Sequence, residues 1–171
     1  PGLGRLRLSS IEPMELSRRV IELAAATDRI APHFHICLQS GSDRILRRML
    51  RPYTTERIAR IANRIRELIP DAGIGTDVIV GFPGETAKDH EETVCFLEQG
   101  PFTYVHVFPY SDRPGTRASG FGEKVESKLI NARSQELREL SVRKNAEFRR
   151  RFLGRRLSVL SLTEKTNGMR E

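Results

Sequence analysis

Apolar residues along this chain fall into two alternating rhythms, and the switching between them outlines repeated βα units. The run Arg5 to Ser10 reads as a strand, and Pro13 then suits the first turn of a helix with Leu16, Val20 and Leu23 on one face. A second strand, Phe34 to Gln39, ends in the turn Ser40-Gly41-Ser42-Asp43 and gives way to a short helix through Leu46 and Met49. A longer helix follows with Thr54 or Thr55 as its N-cap. Its Ile58, Ile61, Ala62, Ile65, Leu68 and Ile69 have the spacing of a buried stripe, and Pro70 stops it.

The third strand leads from Gly75 into Gly81-Phe-Pro-Gly-Glu-Thr86, where Thr86 and Asp89 form a weak capping box for a helix anchored by Val94 and Leu97. The fourth strand is Tyr104 to Tyr110, followed by a loop of turn formers, Ser111 to Thr116. A long charged helix is expected from about Glu123 to Leu153, ended by Gly154, and Leu157 to Leu162 alternates like the first strand of something new. Strands alternating with amphipathic helices specify an α/β protein with about four βα units around a parallel sheet, plus a long C-terminal helix.

Strand alternation also says which residues face a ligand. In α/β folds ligands collect where strands end and helices begin. Asp77, Ile79 and Gly81 share one face of the third strand, and Thr76, Val78, Val80 and Phe82 share the other. By the same alternation His35, Cys37 and Gln39, with His106, Phe108 and Tyr110, point inward, while Val105 and Val107 face outer helices. A barrel without a lumenal ligand fills its interior with Val, Ile and Leu. Polar residues there imply a cavity, the competing account being a core with a few hydrogen-bonded polar groups. Phe108 and Tyr110 suit either base stacking or core packing.

Composition narrows the partners. With 171 residues, 38% hydrophobic and 30% charged, the chain is long enough for a globular domain with a real core. No apolar run approaches the roughly 18 residues of a membrane helix, and no signal-peptide pattern opens the sequence, so no membrane is expected and a cytoplasmic setting is the default. The two cysteines, Cys37 and Cys95, lack metal or redox spacing and read as buried thiols. His33 and His35 sit two apart on one strand face with no third ligand nearby in sequence, so no metal site is expected. The net charge of +7 favours a phosphate-rich partner or a solvated basic face. Much of it lies in Arg133, Arg138, Arg143, Lys144, Arg149, Arg150, Arg151, Arg155 and Arg156.

Five strings occur in order: Arg7-Leu-Ser-Ser-Ile-Glu-Pro13, His35-Ile-Cys-Leu-Gln-Ser-Gly-Ser-Asp43, Met49-Leu-Arg-Pro-Tyr-Thr54, Thr76-Asp-Val-Ile-Val-Gly-Phe-Pro-Gly-Glu-Thr86 and Pro109-Tyr-Ser-Asp-Arg-Pro-Gly-Thr116. Together they resemble the radical S-adenosylmethionine methylthiotransferases over nearly the whole chain. His106-Val-Phe-Pro-Tyr-Ser111 looks most like the branch that acts on threonylcarbamoyladenosine in tRNA, with sister branches acting on isopentenyladenosine or on a ribosomal protein aspartate.

The resemblance implies a part of a longer enzyme. The fold it implies is a partial TIM-type (β/α) barrel of about four parallel βα units: residues 1–120 would be the later part of the radical barrel, its third to sixth strands, 121–154 a long basic helix, and 155–171 the start of a truncated RNA-binding TRAM domain. In the family two 4Fe-4S clusters serve the reaction, with the radical-generating one held by a Cys-x-x-x-Cys-x-x-Cys loop that this sequence does not contain; the polypeptide by itself is therefore expected to be inactive. Starting inside a barrel implies excision from a longer chain, and a half barrel with open sheet edges invites self-association.

Five residues would contact S-adenosylmethionine by this resemblance. Gln39 matches a polar ribose contact, Arg51 an arginine that pairs with the methionyl carboxylate, Ser10 a ribose or methionyl contact, Asp77 a carboxylate near the adenosyl group, and Ile79 a packing surface for adenine. Glu85 falls one residue late for the family's glutamate and is not counted. The expected partner is tRNA. Two other classes stay open: a non-catalytic nucleic-acid-binding module built on the basic helix, and a different barrel enzyme using Gly81 to Thr86 as a phosphate nest, though that turn lacks the lysine of a P-loop.

Overall fold

In the computed structural model, which describes residues 4–157 and the backbone of 165–166 and 169–170, three strands form a parallel sheet in the order β1-β2-β3. The strands are β1 (His33–Gln39), β2 (Gly73–Val80) and β3 (Tyr104–Pro109). The helices are α1 (Arg18–Ala25), α2 (Asp43–Arg48), α3 (Thr55–Leu68), α4 (Ala87–Gln99) and α5 (Ser127–Arg150). One short antiparallel pair, β4 (Lys165–Thr166) with β5 (Met169–Arg170), stands apart from the sheet. The alternating segment that begins at Leu157 lies almost wholly outside the described residues.

Helix boundaries follow local chemistry. Thr54 caps α3 by accepting from the Arg57 amide, and Thr86 and Asp89 make a full capping box at α4. Ile58, Ala62 and Ile65 of α3, Leu97 of α4, and Leu137 and Leu140 of α5 pack on Phe34, Ile36, Leu38, Ile74, Val78, Val80 and Val105 to form the core. The sheet thus has one covered face and one open face, as the alternation anticipated.

Two expectations near the N-terminus are corrected. The run Arg5 to Ser10 is not a strand; it touches its neighbours through isolated parallel bridges, Leu6 with Ile30 and Ile11 with Ile36. Ser10, at the end of the run and between the two bridges, has φ +52°, a left-handed conformation that breaks the pleat. Helix α1 begins at the Ser17 cap rather than at Pro13, and this later start turns Ile21 and Ala24 inward and leaves Leu23 58% exposed. Both sheet edges are partly occupied. Ile11 bonds His35 and Cys37 along β1, and Ser141 of α5 satisfies both the amide and the carbonyl of Val105 on β3.

Candidate cofactor-binding site

The end of β1 is shaped by a turn that tolerates almost no added volume. A Cβ on Gly41 would stand 2.5 Å from the Thr93 Cα, so glycine lets this turn lie against α4. The Thr93 hydroxyl accepts from the Gly41 amide at 3.0 Å, and the Ser42 hydroxyl donates to Asp89 at 2.8 Å. Asp89 also accepts from Arg44, from the Thr86 amide and from the Thr86 hydroxyl. Burial pushes this carboxyl up, but the hydrogen bonds from Arg44, Thr86 and Ser42 outweigh it and hold it well below the usual range. One carboxylate therefore ties the β1 turn to the α4 N-terminus. Gln39, just before the turn, sits at φ +72°.

The turn after β2 is held from behind. Gly81 (φ +78°) and Gly84 (φ +86°) take left-handed conformations, and a Cβ on Gly81 would meet the Ile130 side chain at 2.3 Å. The Gly81 amide donates to the Glu85 carboxylate, which pairs with the buried Arg133 at 3.2 Å. Burial raises the Glu85 carboxyl against the pull of Gly81 and Arg133. Glu85 thus serves to fasten the turn to α5 and is not among the cavity residues.

On the open face, a cavity of about 480 Å³ lies at the strand C-termini, with Gln39, Asp77, Ile79, Phe82, Phe108 and Tyr110 in its wall. A smaller one of about 200 Å³ adjoins it, sharing Ile79, Phe82 and Ala118 and including Arg51. Gln39, Asp77 and Ile79 are therefore brought to one cavity and Arg51 to the next. Arg51 is paired with Glu12 at 3.1 Å. Ser10 lines neither cavity. Tyr53 supports this end of β1 by donating to the Cys37 carbonyl at 2.9 Å, and burial pushes its phenol up to about 12.

Register across the three strands also assembles a hydrogen-bonded row that the sequence did not disclose. Arg7 Nε donates to His33 Nδ1 at 3.2 Å, and the Tyr104 hydroxyl lies 2.9 Å from His33 Nε2 and 3.1 Å from His35 Nδ1. His35 Nε2 is 2.8 Å from Asp77 Oδ1, and His106 Nδ1 is 3.4 Å from the same oxygen. One assignment of protons links the row from Arg7 Nε to Asp77, while Arg7 Nη2, 3.1 Å from His33 Nε2, takes no part in it. With Arg7 Nε donating to His33 Nδ1, His33 donates to Tyr104, Tyr104 to His35, and His35 to an Asp77 oxygen. Burial, reinforced by Arg7, keeps His33 low and so neutral, as this chain requires.

Gly75 makes the row possible, since a Cβ there would stand 2.1 Å from the Tyr104 ring. His35, Asp77 and His106 also bring three metal-competent atoms within 4.8 Å of one another, a set that sequence spacing did not reveal. Both His35 nitrogens are already engaged by Tyr104 and Asp77, so the row reads as an orienting network for Asp77. Alternation had put these residues on one face; only the pairing of Asp77 with His106 and of His35 with Gly75 made them neighbours.

The basic C-terminal helix is largely turned to structural use. Arg133 binds Glu85, Arg143 binds Glu98, Lys144 donates to the Glu98 and Gly100 carbonyls, and just past the helix Arg151 and Arg155 bind Asp71.

An open parallel sheet with glycine turns at its C-terminal ends and a cavity beside them defines a TIM-type α/β fold. The model of the Radical SAM superfamily matches residues 3–97, and the chain belongs to that superfamily. It is 44% identical over 163 residues to the threonylcarbamoyladenosine tRNA methylthiotransferase MtaB of Aquifex aeolicus (strain VF5), covering 95% of this chain and 40% of that protein. It is 46% identical over 159 residues to the tRNA-2-methylthio-N(6)-dimethylallyladenosine synthase of Thermobifida fusca (strain YX), covering 93% of this chain and 32% of that protein. The chain thus spans no more than 40% of the length of these relatives. Coproporphyrinogen III oxidase (HemN) from Escherichia coli, a radical SAM enzyme, shares the fold with a TM-score of 0.67 at 17% identity, over 82% of this chain and 32% of that one.

Proposed function

We propose that this chain is the S-adenosylmethionine-binding barrel portion of a tRNA methylthiotransferase whose substrate is a hypermodified adenosine, threonylcarbamoyladenosine, beside the anticodon. The convergence of Gln39, Asp77 and Ile79 on one cavity, with Arg51 on the adjoining one, carries the reading. The donor set fits the cofactor. Ile79 and Phe82 offer an apolar surface for adenine, Gln39 and Asp77 offer polar partners for ribose hydroxyls, and Arg51 offers a guanidinium fork for the methionyl carboxylate once Glu12 yields it. Ser10 would join only by moving from its present place outside both cavities.

When bound, S-adenosylmethionine supplies the radical and methyl-transfer chemistry. The chain's own part is to bind and orient it. The row from Arg7 to Asp77 fixes the Asp77 carboxylate as an acceptor, and the Asp89 clasp fixes the turn that carries Gln39. Iron–sulfur clusters do not fit these residues: Cys37 is buried on β1 and Cys95 is exposed on α4, and two thiols cannot supply a cluster. Any cluster ligands belong to other parts of the complete protein.

Both relatives named above act on adenosine derivatives of tRNA according to their names, and the string His106-Val-Phe-Pro-Tyr-Ser111 favours the threonylcarbamoyl branch over the dimethylallyl one. Nucleoside mass spectrometry of tRNA from cells lacking and regaining the complete protein tests this. Loss and return of the methylthio group on threonylcarbamoyladenosine is the expected result; an unchanged nucleoside profile, or loss only on dimethylallyladenosine, refutes the assignment. Calorimetric titration with S-adenosylmethionine tests the site, with affinity falling about tenfold or more in Gln39→Ala and Arg51→Ala.

A further inference from the structure

A third cavity, of about 650 Å³, lies between α1 and α3. Ile21 and Ile61 form part of its floor, and Arg18, Arg57, Arg60 and Arg64 line its walls. Arg57, Arg60 and Arg64 recur at i, i+3 and i+7, which sets them on one face along about 10 Å of helix. The Arg57 Nε is buried with no hydrogen-bond partner among the described residues. An orphaned guanidinium donor facing a cavity is a poor arrangement for an isolated chain and a good one for an anion. The other three arginines do have partners. Arg18 and Arg64 reach Glu22 at 2.6 and 3.6 Å, Arg64 also reaches Glu67 at 3.3 Å, and Arg60 reaches Glu56 at 3.9 Å. These pairs are exposed or half-exposed, so solvent screens them and a phosphate can take over their guanidinium groups.

The groove is also in the right place. Helix α3 starts directly after Tyr53, whose hydroxyl bonds the Cys37 carbonyl near the end of β1. The Ser17 cap of α1 lies six residues after Ile11, which bridges Ile36 of the same strand. Arg18 and Arg57 therefore lie in first turns, at the end of the sheet where the Gln39–Asp77 cavity opens. By contrast, α5 has committed Arg133 and Arg143, and the segment just after it Arg151 and Arg155, to carboxylates of this chain.

We propose that the α1–α3 groove is a docking site for successive phosphates of the tRNA backbone, holding the RNA while its modified base faces the cofactor cavity. This rests on the function proposed for the chain, and it assigns the RNA contact to the outer helix pair rather than to the basic C-terminal helix. Guanidinium forks match phosphate oxygens, and a line of arginines about 10 Å long spans roughly three phosphates at the rise of a helical strand.

Fluorescence anisotropy of a labelled anticodon stem–loop against the purified complete protein, across a salt series, is the test. The double variant Arg18→Gln/Arg60→Gln changes two exposed side chains and leaves the core intact; Arg57→Gln probes the orphan donor, with thermal melting as its folding control. Each should bind RNA about fivefold or more weakly near 0.1 M salt, with S-adenosylmethionine affinity unchanged. The slope of log affinity against log salt should shrink by about one for every phosphate no longer neutralised. Unchanged affinity and slope in both variants, with weakened binding instead in Arg149→Gln/Arg150→Gln, overturns the groove assignment and leaves the proposed function standing. Absence of RNA binding by the unaltered protein overturns both.

Discussion

Replacing Asp89 by alanine should be one of the most damaging single changes in this chain, although the residue is not expected to touch ligand. Its side chain is 5% exposed and accepts from the Ser42 hydroxyl, Arg44, and the amide and hydroxyl of Thr86. Loss of the capping box costs about 1 kcal/mol. Loss of the charge-assisted bond from Arg44 costs about 1.5 kcal/mol or more, and the stranded Ser42 hydroxyl adds about 1 kcal/mol. The full penalty for a broken buried ion pair does not apply, because Arg44 is 46% exposed and can turn to water. The sum is about 3 to 4 kcal/mol, measurable as a shift of the urea midpoint at constant m.

The sign with pH follows from the lowered carboxyl. The stabilisation is present in full above the unfolded carboxyl value of about 3.9 and is lost as pH falls through the folded one. Asp89→Asn keeps the shape but not the charge, so the gap between it and the parent protein should be widest near neutrality and close in acid. A loss below about 1 kcal/mol for the alanine variant, or a gap that widens in acid, would refute the clasp as the organiser of this end of the sheet.

Other perturbations separate folding from binding. Gly41→Ala drives a methyl group into the α4 backbone and should cost about 3 kcal/mol by chemical denaturation, because neither element can move without disturbing the Asp89 clasp. Gln39→Gly relieves a left-handed non-glycine residue and should raise stability, or at worst leave it within about 1 kcal/mol, while weakening S-adenosylmethionine binding by calorimetry. Tyr104→Phe cuts the row between His33 and His35; it should cost about 1 to 2 kcal/mol, and NMR should show the His35 ring losing its single tautomer.

Much of the fold could be read from the chain because its signals are local. Thr54 and Thr86 announce their helices by side-chain capping, Pro70 closes α3, and the alternation through β2 correctly separated Asp77 and Ile79 from Val78 and Val80. Where the reading slipped, a competing local feature had no pattern of its own. Left-handed Ser10 broke an apparently regular strand, and a later helix start rotated Leu23 outward.

Neighbouring residues alone specified the sheet face, the glycine turns and the set of residue types that a cofactor cavity needs, because strand period and backbone conformation are short-range properties of a chain. Which of those residues meet was left to the packing of distant elements. Inter-strand register joined His35 and His106 to Asp77, helix packing sent Glu85 to Arg133 and away from the cavity, and the approach of α1 to α3 gathered arginines from two separate segments. Those juxtapositions depend on how far-separated elements dock, and no local periodicity encodes that.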